Sequence, residues 1–211
     1  MENILRTYSD YRWICLVIII ISVILTTVSP IYPDQQLLQH LGTLVVMLPV
    51  IFDIRLKVLS KSAILGITVF AFIHVIGARY IYSYVPYNEW SVHLTGFDIH
   101  DFFQIQRNHY DRFVHFSFGI LFLPYARDLV QRYFDISKKI AVLVIAWLFI
   151  QTFSMFYELF EWSLTIMMTE NMATDYNGQQ GDIWDAHKDM ALAMLGSTIS
   201  TIAVGFSKTK P

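Results

Sequence analysis

Three groups of ionisable residues recur at helical spacing in this chain: Asp111-x-x-x-His115, Glu158-x-x-Glu161 and Asp182-x-x-Asp185-x-x-x-Asp189. Residues three, four or seven apart share one face of a helix. Each group lies inside or against a strongly apolar stretch, and a carboxylate in hydrocarbon is costly unless it is paired, protonated, wet or metal-bound. Asp111 beside His115 has the makings of a metal ligand pair or a general base, because a neighbouring carboxylate fixes an imidazole's tautomer and basicity. Glu158 and Glu161 can share a proton or hold a cation. Asp185 and Asp189 add the oxygen ligands that hard divalent cations take.

Each group also has a plainer reading. Asp111 could be a first-turn acid in a helix capped by Asn108, suited to the helix dipole. His115 lies deeper, amid Phe113, Val114, Phe116 and Phe118, and could be a structural histidine at a helix contact. Glu158 and Glu161 would be ordinary wet acids if their helix had already left the bilayer. Asp182 reads as an N-cap with Asp185 at the capping-box position, which leaves Asp189 unexplained. His74, within VFAFIHVIGARY, fits an interhelical hydrogen bond or the wall of the same cavity, with Tyr84 just above. Arg79 and Arg112 could neutralise nearby acids or hold a phosphate bidentately.

The elements that must position these residues are membrane helices. The chain is 55% hydrophobic and 15% charged, against roughly 25% charged in soluble domains. Apolar runs predict six spans, at about residues 13–28, 36–52, 60–78, 110–129, 138–168 and 186–206, in one all-α integral-membrane domain over residues 1–211. No small-x-small cleavage site follows the first run, so it reads as an uncleaved span. Pro49 predicts a kink. The fifth run is too long to cross straight, and must tilt, bend or project. Between Tyr80 and His109, eight aromatics predict a partly helical cap lying in the outer headgroup region.

Alternating the connections from a cytoplasmic N-terminus places 11 of the 15 Lys and Arg residues inside and 4 outside. That bias predicts both termini in the cytoplasm and an even number of spans. The same sorting places 12 of the 17 acids and all seven histidines on the outer side or in outer helix ends. The positive-inside rule does not account for that, because acids contribute little to it. Four spans each bring polar residues to the outer half, and one shared pocket is the economical explanation.

Several function classes are set aside. No G-x-S-x-G, H-E-x-x-H, P-loop or C-x-x-C motif occurs. No basic patch with interleaved aromatics suggests nucleic acid. Cys15 is the single cysteine, so no intrachain disulfide forms.

Four stretches taken in order, HVIGARYIYSYVPYNEW (74–90), RNHYDRFVHFSFG (107–119), YELFEW (157–162) and GQQGDIWDAHKDM (178–190), resemble the YjdF-type family of bacterial inner-membrane proteins. The resemblance covers essentially the whole chain. It implies a multi-pass cytoplasmic-membrane protein, and it implies no activity. Asp111-x-x-x-His115-Phe116 and the acidic lead-in to the last span carry a fainter similarity to VanZ-like membrane proteins.

The expectation is therefore a six-span bundle with an outward-facing acidic and histidine-bearing pocket in contact with the lipid bilayer. The favoured function is a divalent-metal-assisted enzyme (Mg, Mn or Zn) acting on a lipid or lipid-linked headgroup. Asp111, His115, Glu158, Asp185 and Asp189 would hold or orient the metal. Glu161 or His115 would act as general base, and Arg79, Arg112, His74 and Tyr84 would line the substrate site. The alternatives are a proton- or cation-coupled transporter and a non-catalytic assembly partner.

Overall fold

The protein is described from a computed structural model covering residues 10–167 and 179–206. Met168, Glu170, Asp175, Gly178, Arg6, Lys208 and Lys210, which entered the expectations above, lie outside those residues. Among the described residues there are eight helices and no strand. They are α1 (Tyr11–Thr27), α2 (Pro33–Leu56), α3 (Lys61–Arg79), α4 (Tyr87–Thr95), α5 (Ile99–Phe103), α6 (Tyr110–Tyr133), α7 (Lys139–Met167) and α8 (Asp185–Phe206).

The six long helices fall on the six apolar runs of the sequence. Five of them, α2, α3, α6, α7 and α8, are long and apolar enough to cross a membrane. The 17-residue α1 reaches about 26 Å at 1.5 Å per residue, just short of the ~30 Å hydrocarbon layer. Their lipid-facing sides are paved with exposed Ile, Leu, Val and Phe, as a bilayer solvent requires. Pro49 sits inside α2, which stays helical on both sides of it.

The core is built on α3. Its Ala63, Ile64, Ile67, Ala71, Val75 and Ala78 are fully buried. α1 and α2 pack on α3 from one side and α6 from the other, while α7 and α8 pack on α6 and on each other. The tightest crossings use glycine. A Cβ placed on Gly66 would lie 2.4 Å from the Leu121 carbonyl oxygen, and one on Gly119 would lie 2.2 Å from that of Ala193. Gly196 faces the Phe116 carbonyl in the same way, at 2.3 Å. Small residues of this kind let membrane helices touch backbone to backbone.

One end of the bundle, which carries the chain's N-terminal side, is locked by saturated ion pairs. The C-terminus of α2 turns through Lys57 in the left-handed conformation. Asp53 accepts the backbone N–H groups of Val58 and Leu59 (2.7 and 2.9 Å) and the Arg12 Nε–H (2.6 Å). Arg12 donates again to the Leu59 carbonyl at 3.2 Å. Asp128 accepts the N–H of Ser60, the N-cap of α3, at 2.7 Å, and also the Arg127 guanidinium.

At the opposite end the segment after α3 folds back over the bundle. Ile81 and Tyr82 both adopt positive φ, an uncommon and costly conformation for such residues. That turn drops the Tyr82 ring onto Gly77, where a Cβ would come within 2.8 Å of it. α4 and α5 follow as a cap with no buried residue, displaying Trp90, Phe97, Phe102 and Phe103. The Asn88 side chain ties the two together by accepting the N–H groups of Ile99 and His100 (2.8 and 3.1 Å).

Candidate metal centre

Three helices converge beneath the cap. On α6, Asp111, His115 and Gly119 recur every fourth residue; on α8, Asp185, Asp189, Ala193 and Gly196 or Ser197 form the matching stripe. The glycine contacts therefore lie on the faces that carry the acids, and they draw those faces together. α7 closes the third side with Ser154, Glu158 and Glu161, and Ser154 is 2% exposed. Both glutamates are buried within the bundle, so neither is the wet acid of the plainer reading.

At the centre, Asp111, His115 and Asp189 each present a ligand atom, and these atoms all lie within 4.8 Å of one another. The His115 Nε2 is 3.7 Å from Asp111 Oδ1 and 3.5 Å from Glu158 Oε1. The three ligand residues and Glu158 are between 2% and 8% exposed. Asp189 Oδ1, Glu158 Oε1 and Ser154 Oγ are buried without a hydrogen-bond partner in the structure. Buried polar atoms are seldom left so. Glu161 lies one turn further along α7, within electrostatic reach of Asp111 and Glu158, and is hydrogen-bonded by Tyr157. The Tyr157 ring also meets the His115 ring edge to face, with centroids 5.7 Å apart.

An imidazole with several carboxylates in a buried site fits a divalent cation. Such ions take one nitrogen and several oxygens, and the mixed set suits Mn²⁺ or Zn²⁺ better than Mg²⁺, which keeps water and all-oxygen ligands.

Asp185 belongs to a second layer. Its Oδ1 is 2.9 Å from Arg107 Nη2 and 3.4 Å from Arg112 Nη2, so two guanidiniums already answer its charge. Asp182 is bound there too, by Arg107 (3.3 Å), by Arg112 and by Lys188 (2.6 Å). The Lys188 ammonium and the Trp184 N–H hold the Asp182 carboxyl well below the usual carboxylate range. Asp182 accepts that N–H in a turn one step ahead of the helix, which begins at Asp185, so it is not the N-cap expected from sequence. Burial and the nearby Arg112 and Arg107 lower the His109 imidazole, leaving its Nε2 to accept from Arg112 at 3.4 Å. The five charged residues form an ion-paired lid directly above the carboxylate cluster.

The remaining predicted residues divide. His74 lines the same cavity as Asp111 and His115, yet both its ring nitrogens are engaged, one with the Tyr82 hydroxyl and one at 3.2 Å from the Gln39 carbonyl. Arg79 does not reach the cluster. It ends α3 and donates to the Thr26, Val28 and Ser29 carbonyls, the open C-terminus of α1. Tyr84 is half exposed and stacks on Tyr32, with centroids 5.7 Å apart. Asn108 accepts the Tyr110 N–H at 2.9 Å, as expected of a residue just ahead of α6.

Sequence reasoning missed Ser154, Tyr157, Arg107 and the two glycines. A search for small residues continuing each acidic stripe would have found Gly119 and Gly196, four residues after His115 and seven after Asp189.

The chain is 31% identical over 132 residues to the protein called inner membrane protein YjdF of Escherichia coli (strain K12). That match covers 63% of this chain and 59% of the relative. No solved structure matches. Residues 11–210 match the family described as predicted membrane protein (DUF2238), and the chain is a multi-pass membrane protein of that family.

Proposed function

We propose that the protein is a divalent-metal-assisted enzyme of the bacterial inner membrane, acting on the polar headgroup of a lipid or lipid-linked substrate. One observation carries this reading: Asp111, His115 and Asp189 each bring a buried ligand atom within 4.8 Å of the others, and Glu158 Oε1 lies beside them, 3.5 Å from His115 Nε2 and without a hydrogen-bond partner. A bound Mn²⁺ or Zn²⁺ would satisfy all four and supply a Lewis acid and a hydrolytic water at neutral pH, so no serine or cysteine nucleophile is needed. His115 would serve as the nitrogen ligand. Glu161, outside the three-atom group and hydrogen-bonded by Tyr157, would act as the general base. Arg112 and Arg107, at the rim, offer the positive field that an anionic headgroup would meet.

The termini would lie in the cytoplasm and the cluster under the outer leaflet, following the distribution of Lys and Arg. Labelling of single cysteines introduced at Lys57 and Gln104, in a background where Cys15 is replaced, reports this. Only the Gln104 position should react from outside.

A proton-coupled transporter would use the same carboxylates but needs a polar route to the opposite side. The two buried carboxylates at that side, Asp53 and Asp128, are committed to backbone N–H groups and arginines, which favours a one-sided site. The test is direct. Protein stripped with chelator and titrated with Mn²⁺, Zn²⁺ or Mg²⁺ should show a saturable rise in thermal stability, and one bound ion by metal analysis. His115→Ala and Asp189→Asn should abolish both. A wild-type protein that binds no ion, and whose stability no ion changes, sinks the proposal.

A further inference from the structure

A long cavity of about 760 Å³ begins at the cluster and runs down the bundle between α2 and α7, floored by α3 and α6. Asp111, His115 and Tyr157 line its polar end, and Leu56 and Tyr133 its far end. Between them the walls are apolar, with Val45, Pro49 and Phe52 from α2, Phe122 from α6 and Phe153 from α7. From His115 to Tyr133, α6 rises about 27 Å, close to the full ~30 Å of a bilayer core and well beyond one leaflet. Over that length the cavity is an elongated apolar slot. Its rims are open sideways: Leu41, Val45 and Phe52 on α2 and Phe153 and Phe160 on α7 are about half exposed or more, so a lipid can enter laterally.

We infer that this slot holds the hydrocarbon tail of a single-chain lipid carrier of the polyprenyl-phosphate type, its phosphate end at the Asp111–His115–Asp189 cluster. The inference deepens the proposed function and names its substrate class. Two features select this occupant. An acyl chain anchored in one leaflet fills only half the slot, whereas a long polyprenyl chain fills it. Two phospholipid tails meeting end to end would need a headgroup site at each end. At the far end the only buried carboxylate on the lining, Asp53, is already saturated by two N–H groups and Arg12. Among the described residues, the buried polar atoms without a hydrogen-bond partner near the slot are Ser154 Oγ on its lining and Glu158 Oε1 and Asp189 Oδ1 in the cluster at its polar end. A phosphate there would meet the carboxylates through the divalent ion.

The experiment is native mass spectrometry of the full chain released from detergent, titrated with undecaprenyl phosphate and separately with phosphatidylglycerol. Val45→Trp fills the slot from an exposed rim position and should not disturb folding; Val69→Trp, on a lipid-facing side of α3 outside the slot, is the control. Undecaprenyl phosphate should bind one per chain and survive activation. Val45→Trp should weaken it at least tenfold, and Val69→Trp should leave it unchanged. The ion-dependent rise in thermal stability should persist in Val45→Trp. Equal retention of phosphatidylglycerol, or equal loss in both variants, would show a bulk lipid shell and overturn the assignment. So would a dimer that dissociates with Val45→Trp, since a second copy would then be the occupant. Tight undecaprenyl phosphate binding that Val45→Trp weakens, in a protein that binds no ion, would keep the slot and refute the metal reading alone.

Discussion

The two ends of the bundle treat buried carboxylates in opposite ways. At one end Asp53 and Asp128 are each encircled by donors: backbone N–H groups from the α2–α3 connection, and Arg12 or Arg127. At the other, Asp111, Glu158 and Asp189 face one another and a single imidazole, with oxygens left over. The first pattern is how a membrane protein fastens helix ends; a charge taken from water is stabilised only where partners saturate it. In the second, ionised acids would repel one another strongly in low dielectric, so the group calls for shared protons or a cation. The arginines that could relieve it, Arg107 and Arg112, are held one layer up by Asp182 and Asp185.

That contrast can be broken by neutralising each carboxylate in turn. Asp53→Ala should be the most damaging change, costing about 3–5 kcal/mol, because it leaves two N–H groups without their acceptor and takes from the buried Arg12 its nearest carboxylate, Asp10 and the Leu59 carbonyl remaining. Unfolding in detergent micelles measures it, and a loss below about 1 kcal/mol would mean the end is not fastened as described. Gly119→Val should follow, at about 1–3 kcal/mol from overpacking, and should also lower affinity for the ion by prising α6 from α8. Asp128→Asn keeps an acceptor for Ser60 but loses the charge facing Arg127, costing about 1–2 kcal/mol. Asp189→Asn should invert the trend. Without ion the variant should melt at or slightly above the wild-type temperature, since repulsion is removed, and it should gain nothing from added ion. The smallest effect is pH-dependent. The folded-state pKa of Asp182 is depressed below its ordinary 3.8, so its clamp on Lys188 and Arg112 is fully present above that value. As pH falls from 3.8 toward the lower folded value the contribution is lost, and Asp182→Asn should flatten that part of the stability–pH curve.

Much of this was legible in the sequence because apolar length and helical spacing are local properties. The runs at 60–78 and 186–206 become helices within a few residues, and the stripes of Asp111, His115, Asp185 and Asp189 do face the bundle. What local spacing cannot express is who supplies the partner. Asp185 and Asp189 look equivalent on one stripe; only the fold brings Arg107 and Arg112 to the first and leaves the second to the cluster. Arg79 reads as a cation over a pocket, and nothing nearby in sequence reveals that the end of α1 would consume its donors. The fastening role of Asp53 is equally invisible, since Arg12 lies 41 residues away.

Gly119 and Gly196 carry one more consequence. Where two backbones already touch, as they do beside the Ala193 and Phe116 carbonyls, no inward adjustment is left. The spacing of Asp111 from Asp189, a turn or two above, is thus dictated by two missing methyl groups. Drift at either glycine would retune the gap between those acids without altering a single ligand, so variation in the calibre of the centre across related chains should be sought at these two positions before it is sought among the acids.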